Sequence, residues 1–152
     1  MVQNTLFKVA EIEISYKPNY KASERPKITT SQEAYEVLMA HWSLNRIGFL
    51  EEFKIILLNG RNRVLGLVNI SQGGVTGTLA DPKVIFAVAL KSAASCCILA
   101  HNHPSGELKA GSEDLKLTRK LQEGARLLDI EIMDHLIVSR DGFYSFADEG
   151  LM

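Results

Sequence analysis

At 152 residues, 46% of them hydrophobic, the chain can bury one good core, and its size fits one domain better than two. A formal net charge of -1 offers no basic field for nucleic acid, and no block of like charge suggests a tail. The opening Met1-Val2-Gln3-Asn4 lacks the charged leader and apolar run of a secretory signal, and no stretch of about 18 apolar residues occurs, so a soluble cytoplasmic protein with no membrane partner is expected.

Phe7 to Tyr16 sets Ala10, Ile12, Ile14 and Tyr16 against Glu11, Glu13 and Ser15, the alternation of a strand with one wet face. Lys17 to Lys27, with Pro18 and Pro26, reads as a loop. Thr30-x-x-Glu33 is a capping box and starts a helix through Trp42, with Ala34, Tyr35, Leu38, Met39 and Trp42 on its buried side. Tyr35 and Trp42 are read as core, and His41 as a solvated or capping histidine. Phe49 to Leu58 is a strand, Asn59-Gly60 a hairpin turn and Val64 to Ile70 the partner strand.

Within that first strand Glu51 shares a face with Phe53, Ile55 and Leu57, whereas Glu52 points away with Lys54. If the apolar face is the core, Glu51 is a carboxylate at its lip; a slip of one residue would give that place to Glu52. Ser71 to Leu79, holding Gly73, Gly74 and Gly77, is a flexible loop and not a phosphate cradle, because no GxxxxGK[ST] follows. Asp81 as N-cap and Pro82 at the first helical position open a helix through Ser92, apolar over most of its surface and so expected to be buried on several sides.

The apolar run from Cys96 to Ala100 is a short buried strand that ends at His101-Asn102-His103-Pro104-Ser105-Gly106. The adjacent Cys96 and Cys97 point to opposite faces and read as core thiols of a reduced cytoplasmic protein. His101 and His103, two apart on an extended backbone, turn their imidazoles toward one point. Pro104 and Gly106 turn the chain. Ser112 is then expected to cap a helix whose inner stripe is Asp114, Thr118, Leu121, Ala125 and Leu128. Two imidazoles and a carboxylate suit one Zn²⁺ and leave a fourth position for water; a polar turn that binds no metal is the competing reading. Ile130 to Ser139 is a strand, turned by Arg140-Asp141-Gly142 into a last one, Phe143 to Phe146. The order of elements predicts an α/β protein, a mixed sheet with helices packed on it.

His101-x-His103-Pro104-Ser105-Gly106, taken with Ser112 and Asp114 as an S-x-x-D element, resembles the JAMM (MPN) metallo-hydrolase signature, and the AHNHPSG form resembles its RadC branch. Glu51-x-Phe53 leading to Leu58-Asn59, Gly77-Thr78-Leu79, Asp134-His135-Leu136-Ile137 and Asp148-Glu149-Gly150 extend the likeness over roughly Phe49 to Leu151. Gly111 stands where the family often has Pro before the serine, and Asp81-Pro82 where it often has His-Pro; neither removes a ligand. The resemblance implies a curved mixed sheet flanked by helices, with cytidine deaminase-like layering. Residues 1–47 would add a strand and a helix to a metal-binding domain over 48–152.

It also implies roles. Zn²⁺ held by His101, His103 and Asp114 would bring the pKa of its bound water toward neutrality, Glu51 in the family's glutamate position would act as general base and then acid, and Ser112 would stabilise the oxyanion. Asn102 and Ser105 are read as shaping the turn. Asp134 and His135 face opposite sides of a strand, so at most one reaches the site, as a group orienting a ligand, with a satisfied core pair preferred. The expected function is a zinc-dependent hydrolase of peptide or isopeptide bonds with a peptide or protein substrate; oligomeric state stays open. A DNA-repair or mobile-element accessory module with a structural or vestigial metal is the alternative, and a metal-dependent phosphodiesterase a weaker one. The helix-hairpin-helix segment of full-length RadC proteins has no counterpart in the 152 residues, which argues against nucleic-acid binding.

Overall fold

The continuous apolar run of residues 96–100 lacks the polar alternation of a strand with one wet face, which suits a sheet interior covered on both sides. In the computed structural model, which describes residues 8–13, 17–73 and 80–152, that run becomes β3 (Cys96–Asn102), the middle strand, buried along all seven residues. The sheet order is β2 (Val64–Gln72), β1 (Glu52–Leu58), β3, β4 (Glu131–Ser139), β5 (Gly142–Ser145). Among the described strands only β3 and β4 run parallel. Parallel neighbours need a crossover, and α3 (Ser112–Leu127) supplies it. Its first turn therefore starts just beyond the end of β3 that carries the histidines.

Helices cover both faces. Ala34 and Leu38 of α1 (Ser31–Ala40) pack on Ile56, Leu58, Ile98, Ala100, Leu136 and Val138. On the other side Ile85 and Ala89 of α2 (Pro82–Lys91), with Leu121 and Ala125 of α3, meet Phe53, Ile55, Leu57, Cys97 and Leu99. Each of the Leu, Ile, Val and Phe side chains among them, fully buried, stabilises the fold by about 1.5–3 kcal/mol. Gly124 lets α2 approach α3, since a Cβ there would lie 2.8 Å from the Phe86 ring.

Thr30 caps α1 and Glu33 returns to its N–H, and Asp81 with Pro82 opens α2. Cys96 and Cys97 are buried on opposite faces, and burial pushes the Cys97 thiol up to about 12. No helix among the described residues is long and apolar enough to cross a membrane.

Several local expectations need correction. Of the strand over Phe7 to Tyr16, residues 8–13 form none, and Ile12 is 89% exposed; Phe7 and residues 14–16 lie outside the described residues. The first strand begins at Glu52, because the N–H groups of Phe49 and Leu50 are spent on a turn at Arg46 O. The β1–β2 loop runs from Asn59 to Arg63: the Asn59 side chain accepts the Arg61 and Arg63 N–H groups, and Asn62, not Gly60, takes the positive φ. β2 continues through Ser71 and Gln72, and residues 74–79 lie outside the description. α2 is buried on one face only, leaving Val84 and Leu90 exposed, and Leu128 lies past α3 and is 40% exposed.

Candidate metal centre

At the end of β3, backbone alternation sends His101 to the face shared with Leu99 and Cys97, and Pro104 and Gly106 close a turn in which the Gly106 N–H donates to His103 O at 2.8 Å. The rings of His101 and His103 lie 4.8 Å apart and their Nε2 atoms 3.0 Å apart. From the first turn of α3, Asp114 presents Oδ1 at 3.2 Å from His101 Nε2 and Oδ2 at 3.4 Å from His103 Nε2. Oδ2 also takes the Gly111 N–H at 2.9 Å, so the cap of α3 fixes the carboxylate.

Glu51, one residue before β1, offers a carboxylate oxygen within 4.8 Å of a ring nitrogen of each histidine, and Glu51, His101 and His103 form a cluster able to hold a metal ion. Glu52 lies on the opposite face, buried, bonded to Arg46 at 2.9 Å and to Lys54 at 3.1 Å. The register that singles out Glu51 is the one present.

The donor set fits a small divalent cation. Bonds of about 2.0–2.1 Å in a tetrahedron set neighbouring ligand atoms about 3.3–3.4 Å apart; the two Nε2 atoms stand 3.0 Å apart, with Asp114 Oδ1 3.2 Å from that of His101 and Oδ2 3.4 Å from that of His103, so each carboxylate oxygen lies at ligand spacing from one imidazole. The carbonyl of Glu107 can only accept, so His103 Nδ1–H donates to it at 3.0 Å and leaves Nε2 of the neutral ring bare toward His101. Burial pushes the Asp114 carboxyl up, but the facing His101 and His103 imidazoles, when a proton occupies their Nε2 atoms, outweigh it and hold it well below the usual carboxylate range. Asp114 in turn raises the His103 pKa against the effect of burial. Bare nitrogens and carboxylate oxygens this close repel one another unless a proton or a cation lies between them.

Behind the pair stands His135, fully buried, with Nε2 2.7 Å from His101 Nδ1 and Nδ1 2.7 Å from Thr118 Oγ1. Its ring stacks on Phe146 at 4.5 Å and meets the edge of Phe53 at 5.7 Å. Burial and the neighbouring His101 lower its pKa well below the ordinary value. Asp134 faces the other way and accepts from Ser145, Ala147 N and His135 N. One of the two thus reaches the site, as alternation requires. An irregularity between Cys97 and Ile98, where β4 advances from Ile132 to Asp134, sets that register.

Two expectations change. Ser112 is not the N-cap: Gly111 is, Ser112 is the first helical residue, and it is exposed. Ser112 also precedes Asp114 by two positions, and the residue three before it, as S-x-x-D requires, is Gly111. No side-chain hydroxyl stands at the cap. Asn102 shapes more than its own turn: its amide bonds Glu52 N, Ile47 O and Leu50 O. Sequence reasoning missed the Thr118–His135 contact, although a threonine on an inner helical stripe needs a partner.

A cleft of about 320 Å³, lined by Ile47, Gly48, Pro104, Leu108 and Arg140, adjoins His103. A larger one, about 730 Å³, lies at the other end of β3 beside Cys96 and Arg126 and has no imidazole in its lining.

The RadC-like JAB domain family matches residues 28–151. A UPF0758 protein of Flavobacterium johnsoniae is 39% identical over 127 residues, 82% of this chain and 53% of that protein. One from Porphyromonas gingivalis is 38% identical over 151 residues, 95% of this chain and 63% of that protein. A third, from Symbiobacterium thermophilum, is 40% identical over 114 residues, 75% and 46%. The chain thus spans about half to two thirds of the length of the curated relatives it matches.

Proposed function

The chain belongs to the RadC-like JAB domain family, and from that membership and the meeting of His101, His103 and Asp114 we propose that it is a zinc-dependent hydrolase of amide bonds in peptide or protein substrates. The observation that carries the proposal is the set of 3.0, 3.2 and 3.4 Å separations among His101 Nε2, His103 Nε2 and the Asp114 carboxylate. Zinc held by these three residues would supply a Lewis acid and a water acidified toward neutral pH.

The protein's own groups do the rest. His103 is aimed by Glu107 O, and Asp114 by the Gly111 N–H. Glu51, beside both imidazoles, takes the proton of the attacking water on a carboxylate oxygen and returns it to the leaving amine. The cleft next to His103, lined by Ile47, Pro104 and Leu108 and by the charged Arg140 and Asp141, receives the polypeptide.

A second reading is favoured by one specific observation. With Gly111 at the cap of α3, no hydroxyl is available there to stabilise an oxyanion, which suits an accessory module that retains the metal as a structural element. A peptide-library cleavage screen with and without chelator separates the readings. Zinc-dependent cleavage that falls at least about 10²-fold in Glu51→Gln supports the hydrolase. Zinc-loaded protein that cleaves nothing in the library supports the module.

A further inference from the structure

Thr118 Oγ1 lies 2.7 Å from the carbonyl oxygen of Asp114, one helical turn earlier. A carbonyl has no proton to give, so the threonine donates its only one. The 2.7 Å contact between Oγ1 and His135 Nδ1 must then run the other way, with His135 Nδ1–H donating. His135 is fully buried between Phe53 and Phe146, and among the described residues no carboxylate hydrogen-bonds to its ring. A neutral ring protonated at Nδ1 keeps a lone pair on Nε2. That atom can only accept, and its partner at 2.7 Å is His101 Nδ1. His101 therefore carries its proton on Nδ1 and presents a bare Nε2 toward Asp114 and His103.

We propose that Thr118 and His135 are positioning residues that lock His101 in the tautomer and ring orientation needed to bind the metal, in a relay that starts at the backbone of Asp114. The inference rests on the metal reading above and deepens it. The group orienting a metal-bound histidine is commonly a carboxylate, a carbonyl or a water; here it is a neutral imidazole, whose own tautomer is set by a hydroxyl. The relay adds no negative charge behind His101. Its ends also close on one residue, because Asp114 contributes both the carbonyl that orders Thr118 and the carboxylate that faces His101. The helix turn that delivers one ligand thus aims another.

The test uses the full chain, with Thr118→Val, which keeps the shape of the side chain but cannot accept from His135, and Thr118→Ser, which can. Zinc affinity is measured by competition with a chromophoric chelator, and imidazole tautomers by long-range ¹H–¹⁵N NMR of zinc-loaded and zinc-free protein. The expected results are Nδ1–H on both His101 and His135 in the wild type, about 10- to 100-fold weaker zinc binding in Thr118→Val, and recovery to near wild-type affinity in Thr118→Ser. Wild-type affinity in Thr118→Val, or a proton on Nε2 of His101 or His135, overturns the relay while leaving the metal reading intact. Wild-type protein that binds no zinc contradicts the metal reading itself, and the positioning role with it.

Discussion

Asn102 accepts the backbone N–H of Glu52 at 2.7 Å. The same amide donates to the carbonyls of Ile47 and Leu50 at 2.7 and 2.8 Å, and the side chain is wholly buried. The residue between the two imidazoles therefore fastens the segment that delivers Glu51, from the opposite face of the sheet. Asn102→Ala leaves three backbone groups without these partners, at about 1–3 kcal/mol each when buried. Urea unfolding should show a loss of about 3 kcal/mol or more, while zinc stoichiometry stays at the wild-type value because no ligand is touched. A loss below about 1 kcal/mol would mean that water replaces the amide without cost.

Glu52 and Lys54 form a buried pair beneath Trp42, with Lys54 Nζ 4.8 Å from the centre of the indole ring. Breaking such a pair from one side costs about 3–5 kcal/mol where the remaining charge is left unpaired; Glu52 keeps Arg46 at 2.9 Å, so Lys54→Met should lower stability in chemical denaturation by less than that.

The pair also sets a pH dependence. Burial pushes the Glu52 carboxyl up, but bonds to Arg46 and Lys54 outweigh it and hold it below the ordinary value. A carboxylate whose pKa is lower folded than unfolded contributes stability that is present above the unfolded value, about 4.3, and lost as pH falls through the folded one. Glu52→Gln should be less stable at pH 7 and show a shallower acid limb in urea midpoints between about pH 7 and pH 3. An acid limb as steep as that of the wild type would contradict the assignment.

Much of this was legible in the sequence, for local reasons. The Thr30/Glu33 capping box, Asp81-Pro82 and the Pro104–Gly106 turn act within a few residues and appear where their chemistry requires. The meeting of His101 and His103 was legible because two imidazoles on one strand face need only alternation to come together. Glu51 was separable from Glu52 because a buried β1 splits them onto opposite faces. What could not be read depends on contacts distant in sequence. His135 reaches His101 only because β4 advances two residues against one of β3, and Asn102 ties down a loop some 50 residues away. The cap of α3 was misplaced by one residue because a serine next to a glycine looks like the better cap; the Asp114 carboxylate closes the turn from the third helical position and needs no side chain at Gly111.

That displacement makes a prediction. Ser112 is exposed at the first helical position, so Ser112→Ala should change stability by less than about 0.5 kcal/mol, where loss of a true cap would cost about 1 kcal/mol. Gly111→Ser places a hydroxyl at the cap; its Cβ would approach Asp114 Oδ2 to 3.3 Å, a contact that a small shift of the carboxylate relieves. The φ of -83° and ψ of 165° at Gly111 suit serine. Zinc binding should survive, and a zinc-dependent peptidase rate, once a substrate is in hand, should rise. A rate unchanged in Gly111→Ser would show that the cap position contributes nothing to the chemistry.

The central claim is that His101, His103 and Asp114 together hold one zinc ion, and metal analysis of the purified, zinc-equilibrated chain beside His101→Ala/His103→Ala and Asp114→Ala tests it most directly. The account predicts about one zinc per wild-type chain, almost none in the double variant and a severe loss in Asp114→Ala, with Glu51→Gln retaining the wild-type amount. Full zinc retention in the double variant, or loss in Glu51→Gln with none in Asp114→Ala, would contradict it.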